Sequence, residues 1–157
     1  MELAFEAGSW WSYVLVFLAA ATPVVEVLVV IPAGVLAGMP PVPTAIVAVV
    51  GNLSTVILVA VAGDKLLAWW RRRRHRSAPD GQAPSRRAQR ARELARRWGV
   101  PGLALLAPLT TGTHIATIAA LATGSEPRRV LVWMTGGLVF WATAVAAVTV
   151  AGLDVFA

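Results

Sequence analysis

Glu26 stands in the run Thr22-Pro23-Val24-Val25-Glu26-Val27-Leu28-Val29-Val30-Ile31-Pro32-Ala33-Gly34-Val35-Leu36-Ala37-Gly38, which is otherwise as apolar as a membrane span. Hydrocarbon cannot solvate a carboxylate, so such a group must face protein or water. Desolvation favours its neutral form, which suits Glu26 to carrying a proton or holding a cation. A structural glutamate hydrogen-bonded to backbone is the alternative. The second polar group in an apolar setting is Pro108-Leu109-Thr110-Thr111-Gly112-Thr113-His114. Threonine hydroxyls and free N–H groups at the start of a half-helix make an anion site; capping of a broken helix needs the same residues. Histidine titrates in the physiological range, so His114 could exchange a proton with Glu26 if the two segments meet, and packing between helices is its plainer role. Asn52 and Ser54 interrupt a third apolar run, where an interhelical hydrogen bond is expected before a ligand. The candidate substrate or ion site is therefore Glu26, Pro32, Asn52, Pro108, Thr110, Thr111, Gly112, Thr113 and His114. No catalytic residue, metal site or cofactor is expected: there is no cysteine, no His-rich spacing, no Gly-x-Ser-x-Gly and no second intramembrane carboxylate.

The elements that must position these residues are membrane elements. With 57% hydrophobic residues and a mean hydropathy of +0.69, the 157-residue chain cannot present a polar surface to water. Its net charge of +6 is local, since eleven of fourteen basic residues lie between Arg71 and Arg97. A basic excess in one loop between apolar spans sets orientation, with that loop cytoplasmic. Glu2 and Glu6 precede the first apolar run without a basic residue, so the N-terminal run is expected to stay as a membrane helix rather than a cleaved signal. Residues 9–39 read as a broken or re-entrant hairpin, with Thr22 as N-cap, Pro23 in a first turn, and Pro32 and Gly34 interrupting the continuation. Met39-Pro40-Pro41-Val42-Pro43 is expected to be a turn. Thr44–Gly63 is the most secure span, ending at Asp64-Lys65 and Trp69-Trp70. Residues 77–85 form a loop, and Arg86–Trp98 an amphipathic helix on the membrane surface. There Arg71, Arg72, Arg73, Arg74, Arg86, Arg87 and Arg90 would meet anionic headgroups, although a solvated run that fixes topology alone has the same composition. Nucleic acid is not an expected partner. Gly99-Val100-Pro101-Gly102 turns the chain into a second apolar run that breaks at 108–114, resumes to Gly124, and turns through Ser125-Glu126-Pro127-Arg128-Arg129, with Ser125 as N-cap, into a span over Val130–Gly152.

Features recur in order. Thr22-Pro23 matches Ala107-Pro108, Leu36-Ala37-Gly38 matches Leu121-Ala122-Thr123-Gly124, Pro41 matches Pro127, Gly51 matches Gly137, and both halves close on Val-Ala-Gly. The first half begins and turns outside and the second begins and turns inside. The fold expected is all-α integral membrane: one domain, 1–157, with repeat one over 9–63, a basic loop and surface helix over 64–97, and an inverted repeat two over 98–153. The motifs Pro23-x-x-Glu26, Ile31-Pro32-x-Gly34-x-x-x-Gly38, Gly51-Asn52, Trp98-Gly99-x-Pro101-Gly102 and Ala107-Pro108-Leu109-x-x-Gly112-Thr113 resemble the small multidrug export family. That family is related to the DedA-like membrane proteins. The resemblance implies inverted re-entrant hairpins and transport or scrambling of lipid phosphates, and carries over Glu26, Pro32, Gly34, Gly38, Asn52, Pro108, Gly112 and Thr113. Leu28 stands where relatives often have arginine, Thr110-Thr111 replace Pro-Gly, and His114 takes an often aromatic or small position, so the relatives' charge pattern need not transfer.

The expected function is a multi-pass transporter in the cell membrane of a prokaryote, proton- or ion-coupled, for a small molecule or lipid phosphate, with the site where the two broken hairpins meet. Its partners are the bilayer, anionic headgroups and the substrate, and a homodimer is compatible with it. A membrane scaffold acting through the arginine-rich loop is the alternative, but leaves Glu26 without a role. An enzyme is not expected.

Overall fold

The computed structural model describes the backbone of residues 8–23, 25–77 and 86–156, with side chains for all of these except 63–77, 87, 88, 91, 92 and 156. Among them the regular elements are all helices: α1 Trp10–Ala21, α2 Val27–Leu36, α3 Pro41–Ser77, α4 Arg86–Thr110, α5 Thr113–Ala122 and α6 Pro127–Phe156. Two stretches, Pro41–Ala62 with 22 residues and Pro127–Val155 with 29, are long and apolar enough to cross a membrane. At about 1.5 Å per residue the shorter reaches about 33 Å, against a hydrocarbon core of about 30 Å. Helices α2 and α5, of ten residues each, reach about half of that.

Prolines fall where the helices can absorb them, and this moves several boundaries. Pro41 opens α3 and Pro127 opens α6, because first-turn N–H groups have no intrahelical acceptor. The turn before α3 is thus confined to residues 37–40, and Pro43 belongs to its first helical turn. Pro32 does not interrupt α2, and Pro108 lies inside α4. Each removes one rung of the ladder, while buried neighbours such as Val30, Ile31 and Ala107 hold the helix in place. The break in α4 comes instead at Gly99 (φ 64, ψ −165), which separates a polar limb, Arg86–Trp98, from an apolar limb ending at Thr110. Thr22 does not cap α2. Its hydroxyl donates to the Ala19 carbonyl at 2.7 Å, closing α1, and the N-cap of α2 is Glu26. Ser125 likewise does not cap α6, whose first carbonyl acceptor is that of Glu126, taking the Val130 N–H at 3.0 Å.

The chain divides into two compact units, Met1–Thr55 with Thr135–Ala157, and Val56–Met134. The first has its core where Val16 and Ala20 of α1, Val27, Val30, Ile31 and Val35 of α2, Ala48 of α3, and Leu138 and Ala142 of α6 pack together with Met39. Two glycines allow that approach. A Cβ on Gly34 would lie 2.8 Å from the Thr44 methyl group, and one on Gly51 would run into the Phe17 carbonyl of α1. In the second unit the apolar limb of α4 packs on α5, burying Leu103, Ala104, Ala107, Ala116, Ala119 and Ala120.

One backbone plan occurs twice at a constant spacing of 86 positions. Helices α2 and α5 each have ten residues. Each ends at a left-handed glycine, Gly38 (φ 88) and Gly124 (φ 84). The paired bonds that close the turns also correspond: Gly38 N–H to Val35 O at 2.9 Å with Met39 N–H to Gly34 O at 3.0 Å, and Gly124 N–H to Leu121 O at 3.0 Å with Ser125 N–H to Ala120 O at 3.2 Å. This is the Schellman motif, which satisfies the last carbonyls of a helix and requires φ > 0 after its C-cap. The long helices that follow bury the same positions, Thr44 and Val130, Ala48 and Met134, Gly51 and Gly137, Asn52 and Leu138, Val56 and Ala142. This register does not pair Pro23 with Pro108, since Pro23 lies between α1 and α2 and Pro108 within α4.

Candidate functional site

In the first unit the candidate residues are Glu26 and Pro32 on α2 and Asn52 on α3. Glu26 is buried, with 7% of its surface exposed, in extended backbone (φ −87, ψ 178). Its carbonyl accepts the Val29 and Val30 N–H groups at 2.9 and 3.1 Å, so it starts α2, while its carboxylate makes no capping bond. The positive end of the α2 dipole is directed at this position. Asn52 lies on a stripe of α3 with Thr44, Ala48 and Val56, all fully buried. The expected interhelical bond from its side chain is not found: neither Oδ1 nor Nδ2 has a partner among the described residues. Ser54 turns inward on its own helix, donating to the Gly51 carbonyl at 2.7 Å.

In the second unit the break between α4 and α5 gathers Pro108, Thr110, Thr111, Gly112, Thr113 and His114. The Thr111 and Gly112 N–H groups both return to the Ala107 carbonyl, at 3.0 and 2.7 Å, which ends α4. Gly112 (φ 87) then redirects the chain as the N-cap of α5. Thr110 is exposed and its hydroxyl donates to the Leu106 carbonyl at 2.8 Å, so its role is local. Thr111, Thr113 and His114 are buried, and the Thr111 hydroxyl has no partner among the described residues. A further buried hydroxyl, Thr117, one turn into α5, donates to the Thr113 carbonyl at 2.8 Å. Sequence reading missed Thr117, although its spacing of four from Thr113 puts both on one helix face.

The buried titratable side chains among the described residues are Glu26 and His114, one in each unit. Among those residues no three His, Cys, Asp or Glu side chains group to hold a metal ion. On the polar limb of α4, Arg86 and Arg90 are exposed, and Arg97 Nε donates to Glu93 Oε1 at 2.6 Å. Leu94 is half-buried and Trp98 exposed. The side chains of Arg71, Arg72, Arg73, Arg74 and Arg87 lie outside the described residues.

No curated protein and no solved structure matches the chain. A family model does, and its match starts at Glu26 itself and takes in α2, the basic segment, the break at Thr111-Gly112 and α5. Because that match, over residues 26–144, covers both short helices and most of the chain, the protein belongs to the family described as "Putative small multi-drug export protein".

Proposed function

We propose that the protein is a multi-pass membrane transporter that handles its substrate and a coupling proton at the N-termini of its two short helices. The observation that carries this reading is the repeated plan, in which a ten-residue helix starts at buried polar residues and is followed by a long apolar helix. Short helices that begin within an apolar chain leave backbone donors for a ligand rather than for the ladder. Membership of an export family supports transport. Exposed apolar side chains on both long helices, including Ile46, Leu58 and Val61 of α3 and Val139, Phe140 and Val148 of α6, support a lipid environment, since water would oppose so large an apolar surface. In this reading the two copies of the plan lie in opposite orientations, the cell membrane is the site of action, and Glu26 carries the coupling proton.

The test uses proteoliposomes loaded with carboxyfluorescein or ethidium, an anionic and a cationic dye, under an imposed pH gradient. Gradient-driven release of either dye above that from protein-free liposomes is expected, with release by Glu26→Gln reduced at least tenfold and no longer dependent on the gradient. Wild-type release equal to the protein-free control for both dyes would overturn the transport reading. Unchanged gradient dependence in Glu26→Gln would remove Glu26 from coupling.

A further inference from the structure

The ends of α2 and α4 dispose of their last carbonyls differently. After α2 the N–H groups of Ala37, Gly38 and Met39 turn back to three separate carbonyls, those of Ala33, Val35 and Gly34. After α4 the two N–H groups that turn back, those of Thr111 and Gly112, both go to Ala107, at 3.0 and 2.7 Å. The carbonyls of Pro108, Leu109 and Thr110 are left with no backbone N–H among the described residues. Helical C=O groups point along the axis toward the C-terminus, so these three oxygens form the open rim of α4, at the negative end of its dipole.

A membrane setting makes that rim unfavourable. With the polar limb of α4 at the membrane surface, the apolar limb over residues 100–110 reaches about 16 Å inward, roughly half of a hydrocarbon core of about 30 Å. Hydrocarbon at that depth offers a bare carbonyl nothing. Thr111 adjoins the rim directly, is only 2% exposed, and has a hydroxyl with no partner among the described residues. An anion here would need donors, but the N–H groups of Thr111 and Gly112 are spent on Ala107, and Thr113 and His114, which open α5, already have partners. What the break leaves uncommitted is oxygen: the three rim carbonyls, and a hydroxyl that can lend a lone pair.

We propose that the C-terminal rim of α4 is a binding site for a monovalent alkali cation, held by the carbonyls of Pro108, Leu109 and Thr110 and by the Thr111 hydroxyl. Alkali cations are hard and take oxygen ligands, and carbonyls at a broken helix end replace their hydration shell. A ligand set without a carboxylate suits a single charge, since divalent cations such as calcium draw on Asp and Glu. The site adds a coupling ion to the transport reading above and rests on that reading for its function, though binding itself does not require transport.

The experiment follows thermal unfolding of the purified protein in neutral detergent while sodium, potassium or lithium chloride replaces choline chloride, so that ionic strength and chloride stay constant. Saturable stabilisation by at least one alkali cation over choline is expected. Thr111→Val, which keeps the shape and removes the hydroxyl, should raise the half-saturating concentration about fivefold or more, the loss expected for one ligand. Thr111→Ser, which keeps the hydroxyl, should respond as wild type does. Because valine fills the same space, Thr111→Val in choline should unfold no earlier than wild type, and the comparison of salts on wild type stands even where that variant fails to fold. Identical unfolding of wild type in all four salts would overturn the proposal, as would an equal response to the cation in wild type and Thr111→Val. A wild-type protein that releases dye but unfolds alike in every salt loses this site and keeps the transport reading; one that binds the cation but releases no dye does the reverse.

Discussion

At the scale of single residues, the informative side chains are those whose burial is unfavourable. Asn52 is the clearest. Its amide is fully enclosed without a partner among the described residues, while Leu138, at the corresponding position of α6, fills an equivalent buried place with apolar atoms. Asn52→Leu should therefore raise stability by about 1–2 kcal/mol, the cost of an unsatisfied buried amide recovered, and a melting curve in detergent measures it. A fall in stability would mean that the amide is bonded in the working protein. Dye release lost together with a gain in stability would make Asn52 part of the transport path. Glu26, Asn52, Thr111 and His114 were legible in the sequence because polar residues stand out in apolar runs. Their partners were not, since a spacing says which residues share a helix face but not which neighbour meets it; so Asn52 was expected to bond across helices, and Thr117 passed for ordinary helix filling.

At the scale of elements, glycines decide how closely helices approach. Alanine is favoured over glycine inside a helix by about 1 kcal/mol, so the sign of a substitution depends on the space beside it. At Gly51 a Cβ would meet the Phe17 carbonyl, a backbone atom that cannot swing aside. At Gly136 nothing lies within 4 Å. Gly51→Ala should destabilise by about 1–2 kcal/mol once overpacking outweighs propensity, whereas Gly136→Ala should stabilise by up to about 1 kcal/mol. The same sign for both, in thermal unfolding, would refute the close packing of α1 on α3. Proline was the element-scale signal most easily misread. Pro41 and Pro43 looked like a turn and prove to be the first turn of α3, and Pro32 looked like a break and lies within α2. A proline forbids one hydrogen bond, and whether that bond belongs to the ladder depends on where the helix starts. The glycines at Gly38 and Gly124 carried the boundary information instead, because their positive φ is what the closing turns require.

At the scale of the whole molecule, the doubled plan and the basic segment make separate claims. If the arginines act only through charge at a membrane surface, replacing Arg86, Arg87 and Arg90 by glutamine should weaken binding to phosphatidylserine vesicles by about 1 kcal/mol per charge and leave dye release intact. Abolished release with normal insertion would draw the segment into the substrate path. The repeat was legible as an order of features, but its register was not: common Ala, Val and Gly residues allowed the prolines at 23 and 108 to be paired, and only the hydrogen-bonded turns fix the spacing at 86. The transport reading we propose requires the turns that follow the two short helices to open on opposite sides of the membrane, and those turns offer a matched pair of probes. Ala37 and Thr123 are counterparts, both exposed, each capping the C-terminus of its short helix. In intact cells a membrane-impermeant maleimide should label a cysteine at Ala37 and spare one at Thr123 until the membrane is opened; labelling of both positions from the same side would contradict the account.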